Sequence, residues 1–121
     1  MRFRELTPII WTNQLQETAD FYTKVLDFKL DNLDMEHGWG HLSKGGVQIM
    51  FSLPRKDPGF SEASFTGVFY IYVNGIDELW EKLHNTTTVC YPIDDHAYGM
   101  REFTIYDNNG YRLQFAQSIN N

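Results

Sequence analysis

The chain has 121 residues, 42% of them hydrophobic and 16% aromatic, enough for one domain that buries about two thirds of its unfolded surface. Sixteen acidic against ten basic residues give a formal charge of -6, which argues against a nucleic-acid or anionic-membrane binder and, if a charged partner exists, favours a cationic one. The only cysteine, Cys90, excludes an intrachain disulfide, and no run approaches the ~18 apolar residues of a membrane span.

The opening MRFRELTPIIW lacks the continuous apolar run of a signal peptide, so the expectation is a cytoplasmic protein. The sequon Asn85-Thr86-Thr87 then carries no meaning, because glycosylation requires secretion. The first element is LTPIIWT, a β-branched and aromatic strand with Pro8 near its start, where an edge tolerates a missing donor. NQLQETADFYTKVLDF follows, with Leu15, Ala19, Tyr22, Val25 and Leu26 at the three-and-four spacing of an amphipathic helix and Asn13 or Thr12 as its cap. Three strands come next: FKLDNLD, WGHLS, and VQIMFSL after the turn Lys44-Gly45-Gly46.

LPRKDPGFSEAS, with two prolines, a glycine and scattered charge, reads as a linker over about 54–65. The order then starts again. GVFYIYV is a strand, GIDELWEKLH a helix with Ile76, Leu79, Trp80 and Leu83 on one face, and TTTVCYP, REFTIYD and YRLQFAQ are three more strands. The prediction is an α+β fold of two βαβββ modules, about 1–53 and 66–121. Thr7 matches Val68 at an offset of 61, and VQIMF matches RLQFA at 64 or 65, a repeat of pattern without identity.

Two such modules, each with a turn glycine before its last strand, resemble the vicinal oxygen chelate superfamily of glyoxalases, extradiol dioxygenases and bleomycin- and fosfomycin-resistance proteins. YGMREFTIYDNNGYRLQF is the most specific stretch, similar to the family's Tyr or Trp, Gly, any residue, Arg-Glu-Phe, then a turn and a final strand. ETADFYTKVLDFKL resembles its first helix, with Asp27 where glycine is usual, and Asn108-Asn109 replace the usual Pro-Asp of the later turn. Asn suits a turn that needs a positive φ. The resemblance implies one glyoxalase-like domain over 1–121, its strands forming a curved mixed-sheet cup with helices outside.

Family metalloenzymes take ligands from the first and last strands of each module, positions that fall here on Thr7, Met50, Val68 and Gln114. A divalent cation needs several oxygen or imidazole donors, and a hydroxyl, a thioether, a valine and one neutral amide are too few. The expectation is no metal and no cofactor. His37 and His41 flank two glycines rather than sharing a helix face, His84 ends a helix, and His96 follows Asp94-Asp95 in a loop, so each reads as a surface or packing residue. Cys90 reads as core filling.

Strand alternation places Ile9 and Trp11 with Thr7, Gln48 and Ser52 with Met50, Tyr70 and Tyr72 with Val68, and Arg112 with Gln114. The same phase holds Trp39, His41, Glu102, Thr104 and Tyr106, while Ile10, Val47, Ile49, Phe51, Phe69, Ile71, Val73, Leu113 and Phe115 face the helices. The predicted cleft of Trp11, Trp39, His41, Met50, Tyr70, Tyr72, Glu102, Tyr106, Arg112 and Gln114 has the composition of a small-molecule pocket. The alternative for its aromatics is a sheet interior or a dimer seam, and Arg101 with Glu102 fits either a charged pair that orients a ligand or an ion pair bracing the sheet.

The resemblance is nearest to the metal-free bleomycin-resistance branch. It implies a homodimer that sequesters an aromatic or amphipathic ligand, cationic ones included, with no catalytic residues and an antibiotic-resistance role. A lyase, isomerase or dioxygenase with a displaced site, and a structural or partner-binding module, are the alternatives.

Overall fold

A computed structural model of the chain describes residues 1–54, 60 and 62–120. The chain divides into two compact units, Met1–Ala63 and Ser64–Asn121. The linker expected over about 54–65 includes 55–59 and 61, which lie outside the described residues.

The first unit runs β1 (Ile9–Trp11), α1 (Leu15–Asp20), a π-helical turn (Phe21–Val25), β2 (Lys29–Asp34), β3 (Trp39–Lys44) and β4 (Val47–Ser52). The second runs β5 (Phe69–Tyr72), α2 (Ile76–Leu83), β6 (Thr88–Asp95), β7 (Met100–Tyr106) and β8 (Arg112–Ser118). The sheets have the orders β1-β4-β3-β2 and β5-β8-β7-β6; the first pair in each is parallel and the rest are antiparallel. The fold is α+β, two βαβββ modules of one topology.

Ile9 is in register with Met50, and Tyr70 with Gln114, so the modules superpose at offsets of 61 on the first strand and 64 on the last. Both values agree with the pattern repeat. The residues beside Met50 and Gln114 are therefore Ile9 and Tyr70. Thr7 and Val68 precede the first strand of each module, two residues short of that register.

Alternation sorts the strands. Ile10, Leu42, Ile49 and Phe51 lie buried on one face of the first sheet, and α1 packs on β3 and β4 with Leu15, Ala19, Tyr22 and Leu26 buried. In the second unit Phe103, Ile105, Leu113 and Phe115 make the equivalent face, and α2 covers β7 and β8 with Ile76 and Leu83 buried. Fully burying one such aliphatic or aromatic side chain contributes about 1.5–3 kcal/mol. Trp80 of α2 meets Phe103 edge-on at 5.2 Å and stacks on His84 at 5.0 Å, which accounts for that histidine as a packing residue.

The first helix departs from the single continuous element that its spacing predicts. The Thr23 hydroxyl donates to the Ala19 carbonyl at 2.8 Å, competing for the acceptor that an α-turn gives to the Thr23 amide. The helix widens after Asp20, and Leu26 N–H reaches Phe21 O at 3.3 Å, one residue beyond the α spacing. Asp27 ends it at φ 62°, a left-handed conformation that glycine adopts without strain. In the β7–β8 turn the positive φ falls on Gly110, at 93°, and not on Asn108 or Asn109.

β6 extends through Pro92 to Asp95, three residues past the predicted strand, so Asp94 and Asp95 are strand residues and the turn begins at His96. As an edge strand with register shifts between Val89 and Tyr91 and between Tyr91 and Asp94, it accommodates the proline.

Candidate functional site

On the non-helical face of the second sheet the registers make two rows: Tyr91, Thr104, Gln114 and Tyr70 in one, Glu102, Ala116 and Tyr72 in the next. Glu102 is only 3% exposed. Its carboxylate accepts hydrogen bonds from the Tyr70 hydroxyl, from the Tyr98 hydroxyl at 2.6 Å and from Gln114 Nε2 at 2.7 Å, and His96 Nε2 lies 3.5 Å away. Ala116, the small residue between Glu102 and Tyr72, leaves the diagonal open along which Tyr70 and Gln114 reach Glu102.

Burial alone pushes the Glu102 carboxyl up, but the hydrogen bonds from Tyr70, Tyr98 and Gln114, with a smaller contribution from His96, outweigh it and hold the group below its ordinary value. Burial first, then the bond to Glu102, raises the Tyr70 phenol; the bond to Glu102 raises that of Tyr98. Glu102 is thus an anion held by neutral donors. Among the described residues no Lys or Arg pairs with it.

The Arg101–Glu102 brace does not form, because neighbours on a strand point to opposite faces. Arg101 instead donates to Asp95 Oδ1 at 2.6 Å and to Asp77 at 3.1 and 3.2 Å.

A cavity of about 390 Å³ opens beside Glu102, lined by Tyr91, Pro92, Ile93, Asp94, His96, Tyr98, Glu102, Phe103, Thr104 and Gln114. Of the predicted site residues of this unit, Glu102 and Gln114 line it. Tyr70 joins them through its hydroxyl, and Tyr72 packs edge-on against Tyr70 at 5.1 Å with 75% of its surface exposed. Tyr106 and Arg112 form a separate pair farther along the sheet. The Arg112 guanidinium lies 5.8 Å from the Tyr106 ring centre, and the Cys90 thiol donates to the Tyr106 hydroxyl at 3.3 Å.

The same face of the first sheet carries Trp39, Ser52 and Trp11 in one row and His41, Met50 and Ile9 in the next. His41 Nε2 lies 2.8 Å from Gln48 Oε1, Gln48 reaches Glu5 at 3.5 Å, and Trp11 meets Phe60 edge-on at 5.7 Å. Trp39 occupies the register position that Glu102 has in the second module, and Trp11 that of Tyr72. One module presents an aromatic and thioether face, the other an acid among tyrosines.

Strand reasoning missed Tyr98, His96 and Asp94. The turn at Gly99, φ 93°, brings Tyr98 back over Glu102, and His96 stacks on Tyr98 at 5.2 Å. The signal was the aromatic opening YGMREF, four residues before the acid.

Gln114 donates its amide nitrogen to Glu102, and Met50 offers a thioether beside Ile9 and His41. Among the described residues no three His, Cys, Asp or Glu side chains gather as a metal-binding group.

The sequence model of the Glyoxalase/Bleomycin resistance protein/Dioxygenase superfamily matches residues 5–115. No curated protein matches the chain in sequence. Among solved structures, it is similar to TioX from Micromonospora sp. ML1, with 17% identity, TM-score 0.75 and coverage of 97% of this chain and 100% of that one. A glyoxalase/bleomycin resistance protein/dioxygenase from Alicyclobacillus acidocaldarius has 20% identity, TM-score 0.76 and coverage of 99% and 96%. A superfamily member from Sphaerobacter thermophilus DSM 20745 has 21% identity, TM-score 0.78 and coverage of 96% and 98%. At these identities the structures speak for the fold, and the match over most of the sequence speaks for the family: the chain belongs to the glyoxalase/bleomycin resistance protein/dioxygenase superfamily.

Proposed function

We propose that this chain is a small-molecule binding member of its superfamily that sequesters an aromatic or amphipathic ligand without metal and without turnover. The observation that carries the reading is the donor set: at the position where relatives place a metal-binding carboxylate stands Gln114, which offers a cation only one neutral amide oxygen and whose amide nitrogen is turned to Glu102. Met50, its counterpart, supplies only a soft thioether, a poor donor for a hard or borderline cation. Glu102 itself, held below the ordinary carboxylate value, is a weak general base near neutral pH, which weighs against proton-abstraction chemistry.

A cavity of about 390 Å³ falls within the ~300–1,000 Å³ of small-molecule sites, and its mixture of aromatic and apolar walls with a few polar groups is typical of them. The predicted cleft residues of the first unit, Trp11, Trp39, His41 and Met50, share the matching face of their own sheet, and the reading gives that face a ligand-binding role of its own. Exposed Ile9, Tyr70 and Tyr72 suit coverage by a second copy, so the working form is a homodimer. No helix among the described residues is long and apolar enough to cross a membrane, and the reading places the protein in the cytoplasm.

Elemental analysis of protein purified without chelator, together with a thermal-shift screen of aromatic and amphipathic compounds, tests the proposal. The expected result is well below one zinc, nickel, manganese or iron per chain and stabilisation by a subset of compounds. One tightly held metal per chain, lost in Gln114→Ala, overturns it in favour of an enzyme; a screen without hits favours a structural module.

A further inference from the structure

We infer that the cavity beside Glu102 selects a cationic aromatic head group, an aryl amine or amidine, over its neutral and anionic isosteres. This rests on the small-molecule reading above and names the ligand chemistry of that site. Glu102 and its cross-strand neighbour Asp94 both line the cavity, and no lysine or arginine is among the lining residues. A buried carboxylate ordinarily has a cationic partner or is neutralised. Glu102 is 3% exposed, takes its hydrogen bonds from neutral tyrosine and glutamine donors, and beyond the His96 imidazole 3.5 Å from Oε1 has no basic side chain beside it in the cavity, so a ligand cation supplies a complement that no permanently charged residue provides.

The hydrogen-bond capacity points the same way. An ionised carboxylate has about four acceptor sites. Among the described residues Oε1 takes Tyr98 and Gln114, while Oε2 takes Tyr70 alone and retains capacity for a ligand N–H. Charged donors make the stronger bonds to such an oxygen. Tyr91 and Tyr98 supply aromatic surface and Ile93 an apolar wall, contacts that suit a planar ring bearing the cation. The chain's charge of -6 adds a longer-range attraction that salt screens.

Titration of the full chain with benzamidine, benzamide and benzoate, followed by backbone amide NMR shifts at low salt, tests the inference. The expected result is that benzamidine binds at least ~10-fold more tightly than benzamide and benzoate more weakly still, a factor of ten being about 1.4 kcal/mol. The shifts should centre on Asp94, Tyr98 and Glu102, and Glu102→Gln should cut the preference to below about threefold, the scale of one lost charge interaction. If that variant does not fold, Asp94→Asn on the exposed edge strand should reduce the preference at least ~2-fold by the same charge argument.

Equal or tighter binding of benzamide by the unaltered protein, an unchanged preference in Glu102→Gln, or no binding of any of the three probes overturns the inference. If neutral or anionic compounds alone bind, the cation inference fails and small-molecule binding stands. If the broad thermal-shift screen also finds nothing, the parent reading fails with it.

Discussion

Tyr70 and Gln114 are register partners across the parallel β5–β8 pair, and both donate to the same buried carboxylate, that of Glu102. Three strands and the turn residue Tyr98 thus converge on a single charge, which makes it a structural as well as a chemical centre.

Glu102→Gln should destabilise the protein by about 1–3 kcal/mol, because the amide replaces one acceptor oxygen by a donor facing donors. The pH dependence follows from the lowered carboxyl: between its folded value and the ordinary value of about 4.3 the unfolded chain binds more protons, so stability rises with pH there. That contribution is complete above the ordinary value and is lost as pH falls through the folded one. Urea titrations carried from about pH 7 down through and below the ordinary carboxyl value should give a shallower acid limb for the variant. The lowered Asp31, Asp34 and Asp95 remain in both proteins, so the difference isolates Glu102.

Tyr70→Phe should cost about 1–2 kcal/mol by removing a donor to the buried acid. Tyr72→Ala, at a side chain 75% exposed, should cost below about 1 kcal/mol. Equal losses in denaturant melts would contradict the role of the hydroxyl.

Gly40 has no room for a methyl group: a Cβ there would run into three ring carbons of Phe51, itself fully buried. Gly40→Ala should therefore lose about 1–3 kcal/mol as an overpacked core site. Adding Phe51→Leu should recover part of that loss in the double variant, a coupling that a thermodynamic cycle measures.

Asp27→Gly should be neutral to stabilising, up to about 1 kcal/mol, since the left-handed strain it relieves exceeds the entropy it adds to the unfolded chain. The exposed Lys44–Asp27 contact at 3.3 Å is too weak a loss to reverse this. Melting temperature reports the sign.

Light scattering at micromolar concentration should give a mass near twice 14.2 kDa, with Tyr72→Asp shifting the population toward monomer. A monomer in the unaltered protein would remove the homodimer from the proposed function.

Alternation along short strands needs only covalent geometry, so it was legible without a structure. Leu42, Ile49 and Phe51 go inward, and Trp39, His41 and Met50 share the other face. The module repeat was legible for the same reason, and the register partners Ile9–Met50 and Tyr70–Gln114 reproduce its offsets. The surroundings of Glu102 depend on more than phase. Tyr98 reaches it because Gly99 turns the chain back, and His96 follows because β6 continues through Pro92 to the turn.

Arg101 turned to Asp77 and Asp95, 24 and 6 residues away along the chain, instead of to the acid next to it in sequence. Which side of each strand a residue takes is a property of the local backbone and could be read from alternation alone. Which side chains on that side meet could not, because such contacts depend on turn geometry, register shifts and the space left by small residues such as Ala116.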